Sequence, residues 1–275
     1  MSTPEPLLLP VKAVICAVYG TLLERGPAPD DAEEQWTLLW RANFQRTPRM
    51  SLADFNRAAD RALQADATLA SARGVDVPAP YWPAVAAPLL PELAGLAPDA
   101  AAEFLYTHAQ LRRSVRLIAG ADTVLRELSS RGVLLGLISN GHPHSPVELS
   151  LALHAPFAPV ESFIPPAAAH GVFHGGEAAR ELGIFTPPLC FWSFSHGFGK
   201  PNLHVFQHVA TRLRVRRIEP HEVLMVGENE AGDLEPAKKF GWRTWLLAAA
   251  ADGRQNAGDW PRLAQTLGLA QPDSK

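Results

Sequence analysis

Five short, largely apolar runs constrain this chain more than any other feature of its sequence. They are "VKAVICAV" (11–18), "VLLGLIS" (133–139), "LCFWSF" (189–194), "EVLMVG" (222–227) and "RTWLLA" (243–248). A strand with one wet face alternates apolar and polar residues. These runs do not alternate, so both faces of each need cover. Helical periods supply that cover. "GADTVLRELSSRG" places Val124, Leu125 and Leu128 on one face and stops at Gly132. "NLHVFQHVATRL" repeats the device with Val205, Phe206, Val209 and Leu213, and "DLEPAKKFGW" reads as a short helix ending at Gly241. Strands alternating with helices predict an α/β fold with a doubly wound parallel sheet.

Residues 25–115 follow a different rule. "DAEEQWTLLWRANF", "SLADFNRAADRALQADATLA", "WPAVAAPLLPELAGL" and "DAAAEFLYTHAQLRR" are helical periods separated by Pro-rich breaks, with no convincing strand. The expected organisation is an α/β core from residues 1–24 plus 116–275, with a mostly helical cap over 25–115. An insertion after the first strand sits at the carboxyl end of the sheet, where ligands of such folds bind. Trp36, Trp40, Trp82 and Phe104 are expected to form the cap's own core. A second irregular stretch, 142–188, is rich in Pro, Ala and His and long for a crossover. It reads as an unusual core insertion with one helix at "HGGEAARELGI".

Composition narrows the function classes. A net charge of -3 over 275 residues gives no general attraction to nucleic acid or anionic membrane. No apolar run approaches the ~20 residues needed to span a bilayer. The N-terminal "PLLLP" is too short for a signal peptide, so a cytoplasmic location is expected. Cys16 and Cys190 both sit in apolar strand-like runs, which points to buried, reduced thiols and not to a disulfide or zinc framework.

Chemistry-bearing residues collect at the ends of the strand-like runs. The first run continues into "AVYGTL", the second ends in "LISNG", "GFGKPNLHVF" carries Lys200, and "VGENEAGD" carries Glu228 and Asp233. This set resembles the haloacid dehalogenase (HAD) superfamily of phosphatases and dehalogenases over nearly the whole chain. Single motifs of this kind are weak, but four in order at core strand ends are specific. The resemblance implies a Rossmann-type core with a helical cap. It also implies that an aspartate nucleophile should stand two residues before Tyr19. That position is Ala17.

The remaining positions match the family. Tyr19, Gly20 and Thr21 follow the vacant nucleophile position, Ser139 ends the second core strand, and Lys200 precedes a proline. By resemblance, Lys200, Ser139 and Tyr19 are the catalytic candidates. Gly20, Thr21, Asn140, Gly141 and Arg41 are candidates for holding substrate or phosphate. Phosphoryl transfer through a carboxylate needs donors and positive charge around the oxygens where negative charge collects. Lys200 can supply the charge, and Ser139 with the amides of the Tyr19–Thr21 turn can supply the donors. Magnesium would be held by Glu228 and Asp233, weakened by the loss of a carboxylate oxygen at Ala17.

Other uses of these residues stay open. Ser139 can simply close a strand end, and Lys200 can pair with Glu228 or Asp233. Cys16 does not replace the missing carboxylate, because adjacent strand side chains point to opposite faces. Tyr19 at its normal pKa is a poor nucleophile. Glu228 acting directly on water is a further route. Tyrosine at position 19 is common in 2-haloacid dehalogenases, and "LWR" at 39–41 resembles their substrate-binding arginine segment, but that chemistry needs the same carboxylate. His142, His144, His154, His170, His174 and His196 cluster around the irregular stretch. The H-x-H and H-x3-H spacings could serve a metal, but no companion Cys or acidic pattern goes with them, so surface or cap-facing positions are expected. Two readings survive. One is a degenerate hydrolase-like protein that keeps an anion pocket for a small phosphorylated or other anionic ligand, or for a protein partner. The other is an active small-molecule phosphatase, or less so a haloacid dehalogenase, working by a non-standard route.

Overall fold

The computed structural model describes residues 10–154, 182–248 and 254–269. The chain enters through β1 (Ala13–Cys16) and β2 (Leu23–Arg25), then passes into four helices. These are α1 (Ala32–Phe44), α2 (Leu52–Ala72), α3 (Trp82–Ala86) and α4 (Pro98–Arg112). Next come β3 (Val115–Leu117), α5 (Ala121–Ser130), β4 (Leu134–Ser139) and α6 (Ser145–His154). The later elements are β5 (Cys190–Trp192), α7 (Leu203–Val215), β6 (Val223–Gly227) and α8 (Glu235–Lys239). The last are β7 (Arg243–Leu247), β8 (Ala257–Gly258) and α9 (Trp260–Thr266).

Six strands form one parallel sheet in the order β5-β4-β1-β6-β7-β8. The chain builds outward from β1 in both directions, so a crevice opens at the carboxyl ends of the strands flanking it. Register sets what meets there. Cys16 lies level with Leu137 of β4 and with Val226 of β6, so the segments that follow all three emerge at one edge.

The period of two along each strand divides the core. Val14, Cys16, Leu135, Leu137, Leu224 and Val226 face one side, packed with residues of α5, α6 and α9 such as Leu125, Leu149 and Leu263. Ala13, Ile15, Ala17, Ile138 and Met225 face the other, packed with Val205, Phe206 and Val209 of α7 and Ala237 of α8. Each fully buried branched or aromatic side chain stabilises the fold by about 1.5–3 kcal/mol relative to exposure.

Helices α1–α4 close around a separate core. Trp36, Trp40, Phe55, Trp82 and Phe104 are buried together there. Trp36 stacks on Phe55 and meets Phe104 edge-on, and its indole N–H donates to the Met50 carbonyl at 3.1 Å. The aromatic residues are therefore spent on packing. The loop before α3 is tied to the loop that follows β5: Ala79 N–H donates to Gly197 O and Gly199 N–H to Val77 O, both at 2.9 Å.

Some local readings of the sequence are corrected. The helical stretch is bracketed by a small antiparallel pair, β2 with β3, in which Arg25 lies opposite Val115. Three-residue strands have too few positions to show a period. "DLEPAKKFGW" is not one helix: a π-helical turn at Glu230–Leu234 runs into α8. The reading of a helix at "HGGEAARELGI" falls mostly outside the described residues, as do His170 and His174. No helix among the described residues is long and apolar enough to cross a membrane.

Candidate ligand cleft at the strand ends

β1 ends where Ala17 N–H donates to the Val226 carbonyl at 2.9 Å. The chain then turns tightly, with Leu22 and Leu23 N–H both donating to Val18 O, at 2.7 and 2.9 Å. Gly20 N–H donates to Leu23 O at 2.7 Å and Thr21 N–H to Val18 O at 3.3 Å. The turn amides of Gly20 and Thr21 are thus spent inside the turn. For these two of the three Tyr19–Thr21 amides, this corrects the expectation that they would serve as donors to a ligand. Thr21 is fully buried and its carbonyl accepts from the Trp260 indole at 2.9 Å. Gly20 has a φ of +73°, and a Cβ there would lie 1.9 Å from the Glu228 carboxyl carbon. Glycine is what lets Glu228 lie against the turn.

Ala17 is only 2% exposed and belongs to the apolar cluster beneath the turn, with Ile15, Ile138 and Leu234. Cys16 faces the opposite cluster, as strand geometry requires. Burial pushes its thiol well above the ordinary range, with Cys190 adding to the shift. Cys190 is likewise pushed up to about 12, chiefly by burial. Neither is an activated nucleophile.

A cleft of about 220 Å³ opens beside the turn, lined by Tyr19, Arg25, Ser139, Lys200, Glu228 and Asp233 among others. Its polar groups largely satisfy one another. Lys200 Nζ lies 2.5 Å from Asp233 Oδ1, with both side chains nearly buried. Asp233 Oδ2 accepts from Asn229 N–H at 3.1 Å. Asn140 is committed too: its Oδ1 accepts from Lys200 N–H at 2.7 Å, and its Nδ2 donates to Lys200 O at 2.8 Å. A Cβ on Gly199 would lie 2.3 Å from that Oδ1, so the clamp needs glycine there. Asn140 therefore positions the Lys200 backbone. Gly141 N–H donates to Ser193 Oγ at 3.2 Å, again within the protein.

Three groups in the cleft remain uncommitted, one of them the exposed Glu228 carboxylate, which makes no hydrogen bond or ion pair with a described residue. Ser139 Oγ is buried with no partner among the described residues. Arg25, on β2, makes no ion pair with another described residue, and its guanidinium lies 4.2 Å from the Tyr19 ring centroid. Its pKa is lowered by burial first and then by Arg113. Arg41, by contrast, is exposed on α1 and does not line the cleft.

The Tyr19 hydroxyl turns away toward α6. It donates to Glu148 Oε2 and lies 2.8 Å from Ser145 Oγ. Glu148 is fully buried; its other oxygen accepts from Gln110 Nε2 at 2.8 Å. Burial raises the Glu148 pKa, opposed by Arg113, which stands 3.9 Å away. The Tyr19 pKa is pushed up by burial and then by Glu148, so its hydroxyl stays a donor. Glu148 and Arg25 were not found from the sequence. The signal available was a lone acid, "SPVELSLALH", in an otherwise apolar helix.

The donor set does not fit the magnesium ion that family resemblance implies. Of the two carboxylates in the cleft, Asp233 is held by Lys200, and Ala17 offers no side-chain oxygen. No three His, Cys, Asp or Glu side chains converge in metal-binding geometry among the described residues. Hard divalent cations need several oxygens in close array.

A family model for haloacid dehalogenase-like hydrolases matches residues 11–241. Among solved structures, a 2-haloacid dehalogenase from Pseudomonas syringae superposes with a TM-score of 0.52 at 20% identity, covering 94% of this chain and 98% of that one. A HAD phosphatase from Thermococcus onnurineus aligns with a TM-score of 0.46 at 16% identity, over 95% of this chain and 100% of its own. At such identity the first of these likenesses speaks for the fold alone. A search of curated proteins returned no match.

Proposed function

This chain belongs to the haloacid dehalogenase-like hydrolase family, and we propose that it binds a small phosphorylated or otherwise anionic ligand without forming a covalent aspartyl intermediate. The observation that carries this reading is Ala17, buried among apolar side chains at the position of the family nucleophile. Neither Cys16 nor Tyr19 takes its place as a covalent nucleophile. Cys16 faces the other side of the sheet, and the Tyr19 hydroxyl is engaged by Glu148. Lys200 is paired with Asp233, which offsets the positive charge that would otherwise stabilise the negative charge on a transferring phosphoryl group. Haloacid chemistry by the family route fails on the same missing carboxylate.

What is left in the cleft is suited to holding an anion. Ser139 Oγ and the Arg25 guanidinium are the donors not consumed internally. Lys200 and its partner Asp233 form one wall, and Tyr19 with Arg25 another.

Calorimetric titration with inorganic phosphate, with and without magnesium, tests the reading. Binding is expected without the metal. Ser139→Ala and Arg25→Ala should each weaken it by about tenfold, the scale of one lost hydrogen bond to a charged group. Failure of phosphate to bind, or binding that requires magnesium, would refute it.

A further inference from the structure

A second cavity, of about 190 Å³, lies where the helical segment meets the core. α4 and the residue after it bring His108, Arg112 and Arg113, the loop after β4 brings His142 and His144, and Trp82 of α3 closes one side. Polar atoms at this cavity are left without partners. His108 Nδ1, His142 Nδ1, His144 Nε2 and Arg113 Nε are all buried and unbonded among the described residues. His108 is only 1% exposed and His144 only 7%. Each such atom costs about 1–3 kcal/mol unless something completes it. Four around one cavity describe a site that awaits a polar occupant.

The charges around the cavity limit what that occupant is. Arg112 is already paired with Asp60 at 2.8 Å. Arg113 has Glu148 at 3.9 Å and lies over the Tyr19 ring, 5.1 Å from its centroid. The imidazoles add no formal charge. Burial first, then neighbouring guanidinium groups, brings His108 down to about 3 and His142 to about 4; His144 also lies well below its ordinary value. His108 spends its one N–H on Asn56 Oδ1 at 2.9 Å, so its Nδ1 is an acceptor. The donors left are Arg113 and the neutral His142 and His144, which suit at most one negative charge and not a dianion. Its remaining wall is apolar, from Trp82, Leu63 and Ala109. A metal ion is disfavoured by the same geometry that excludes one elsewhere among the described residues.

We infer that this seam cavity binds a small organic carboxylate, its carboxylate group held by Arg113 and the His142–His144 pair and its apolar body set against Trp82 and Leu63. Such a ligand would supply the missing partners and bridge the helical segment to the core. The inference does not rest on the reading of the strand-end cleft, which has different residues and a different ligand charge.

The test is titration of the full chain with benzoate as the probe, with inorganic phosphate as competitor. Benzoate binds, phosphate does not displace it, and Ser139→Ala leaves the affinity unchanged. Arg113→Gln weakens binding at least tenfold. Leu63→Trp, which fills the cavity from α2 without removing a polar group, does the same. Thermal melts of both variants establish that they are folded, and loss of affinity in either folded variant supports the site. No benzoate binding to the unchanged chain, an affinity insensitive to both substitutions, or displacement by phosphate would overturn the inference.

Discussion

Two cavities lined by ionisable groups stand in opposite states in this molecule. In the strand-end cleft, Lys200 is answered by Asp233, Asn140 clamps the Lys200 backbone, and the turn amides close on themselves. In the seam cavity, three histidines and an arginine each present a buried nitrogen with no partner. The first arrangement stabilises the fold with or without a ligand. The second costs stability until something enters. The family motifs thus mark a cleft in which Lys200 and Asp233 answer each other and Ser139 Oγ is left without a partner among the described residues, while four further unpartnered nitrogens gather in a place no motif marks.

The largest expected effect tests the cleft side of that contrast. Lys200→Ala leaves Asp233 buried without its cation and should lower unfolding stability by about 3 kcal/mol in urea denaturation. A loss near zero would show that the pair is not structural.

Acid should expose the seam. His108 and His142 are buried neutral, with folded values of about 3 and about 4 against an ordinary 6.5. The unfolded chain therefore takes up protons first as pH falls. Stability fully present above pH 6.5 is lost on the way down to the folded values, by at least about 2 kcal/mol between about pH 6.5 and pH 4.5. Denaturation across that range, with His108→Phe and His142→Phe flattening the slope, checks it.

The smallest effect has the opposite sign. His144→Leu removes a buried polar atom that has no partner, and should leave stability unchanged or raise it by about 1 kcal/mol while abolishing ligand binding at the seam. A clear loss of stability would mean that His144 has partners after all and would break the comparison.

The fold was legible where physics forces a pattern. Strands covered on both faces cannot alternate, so β1, β4, β5, β6 and β7 fall within the five apolar runs. The period of two separated Cys16 from Ala17, and the structure puts them in different clusters. The Lys200 pairing was one of two alternatives open from sequence, and Asp233 is the partner made. What depends on distant elements meeting was not legible. Arg25 reaches the cleft from a three-residue strand, while Arg41, which carries the more suggestive local sequence, stays in solvent. Glu148 meets Tyr19 across more than a hundred residues, and His108 meets His144 only because α4 packs on the loop after β4. No local period encodes such meetings.

The central claim is that a family cleft without its carboxylate binds but does not turn over. Its most direct test is phosphate release from a generic aryl phosphate in magnesium, measured for the unchanged chain and for Ala17→Asp. The account predicts no release above buffer from the unchanged chain, with any metal-dependent activity confined to Ala17→Asp. Release by the unchanged chain that Lys200→Ala or Glu228→Ala abolishes would contradict it.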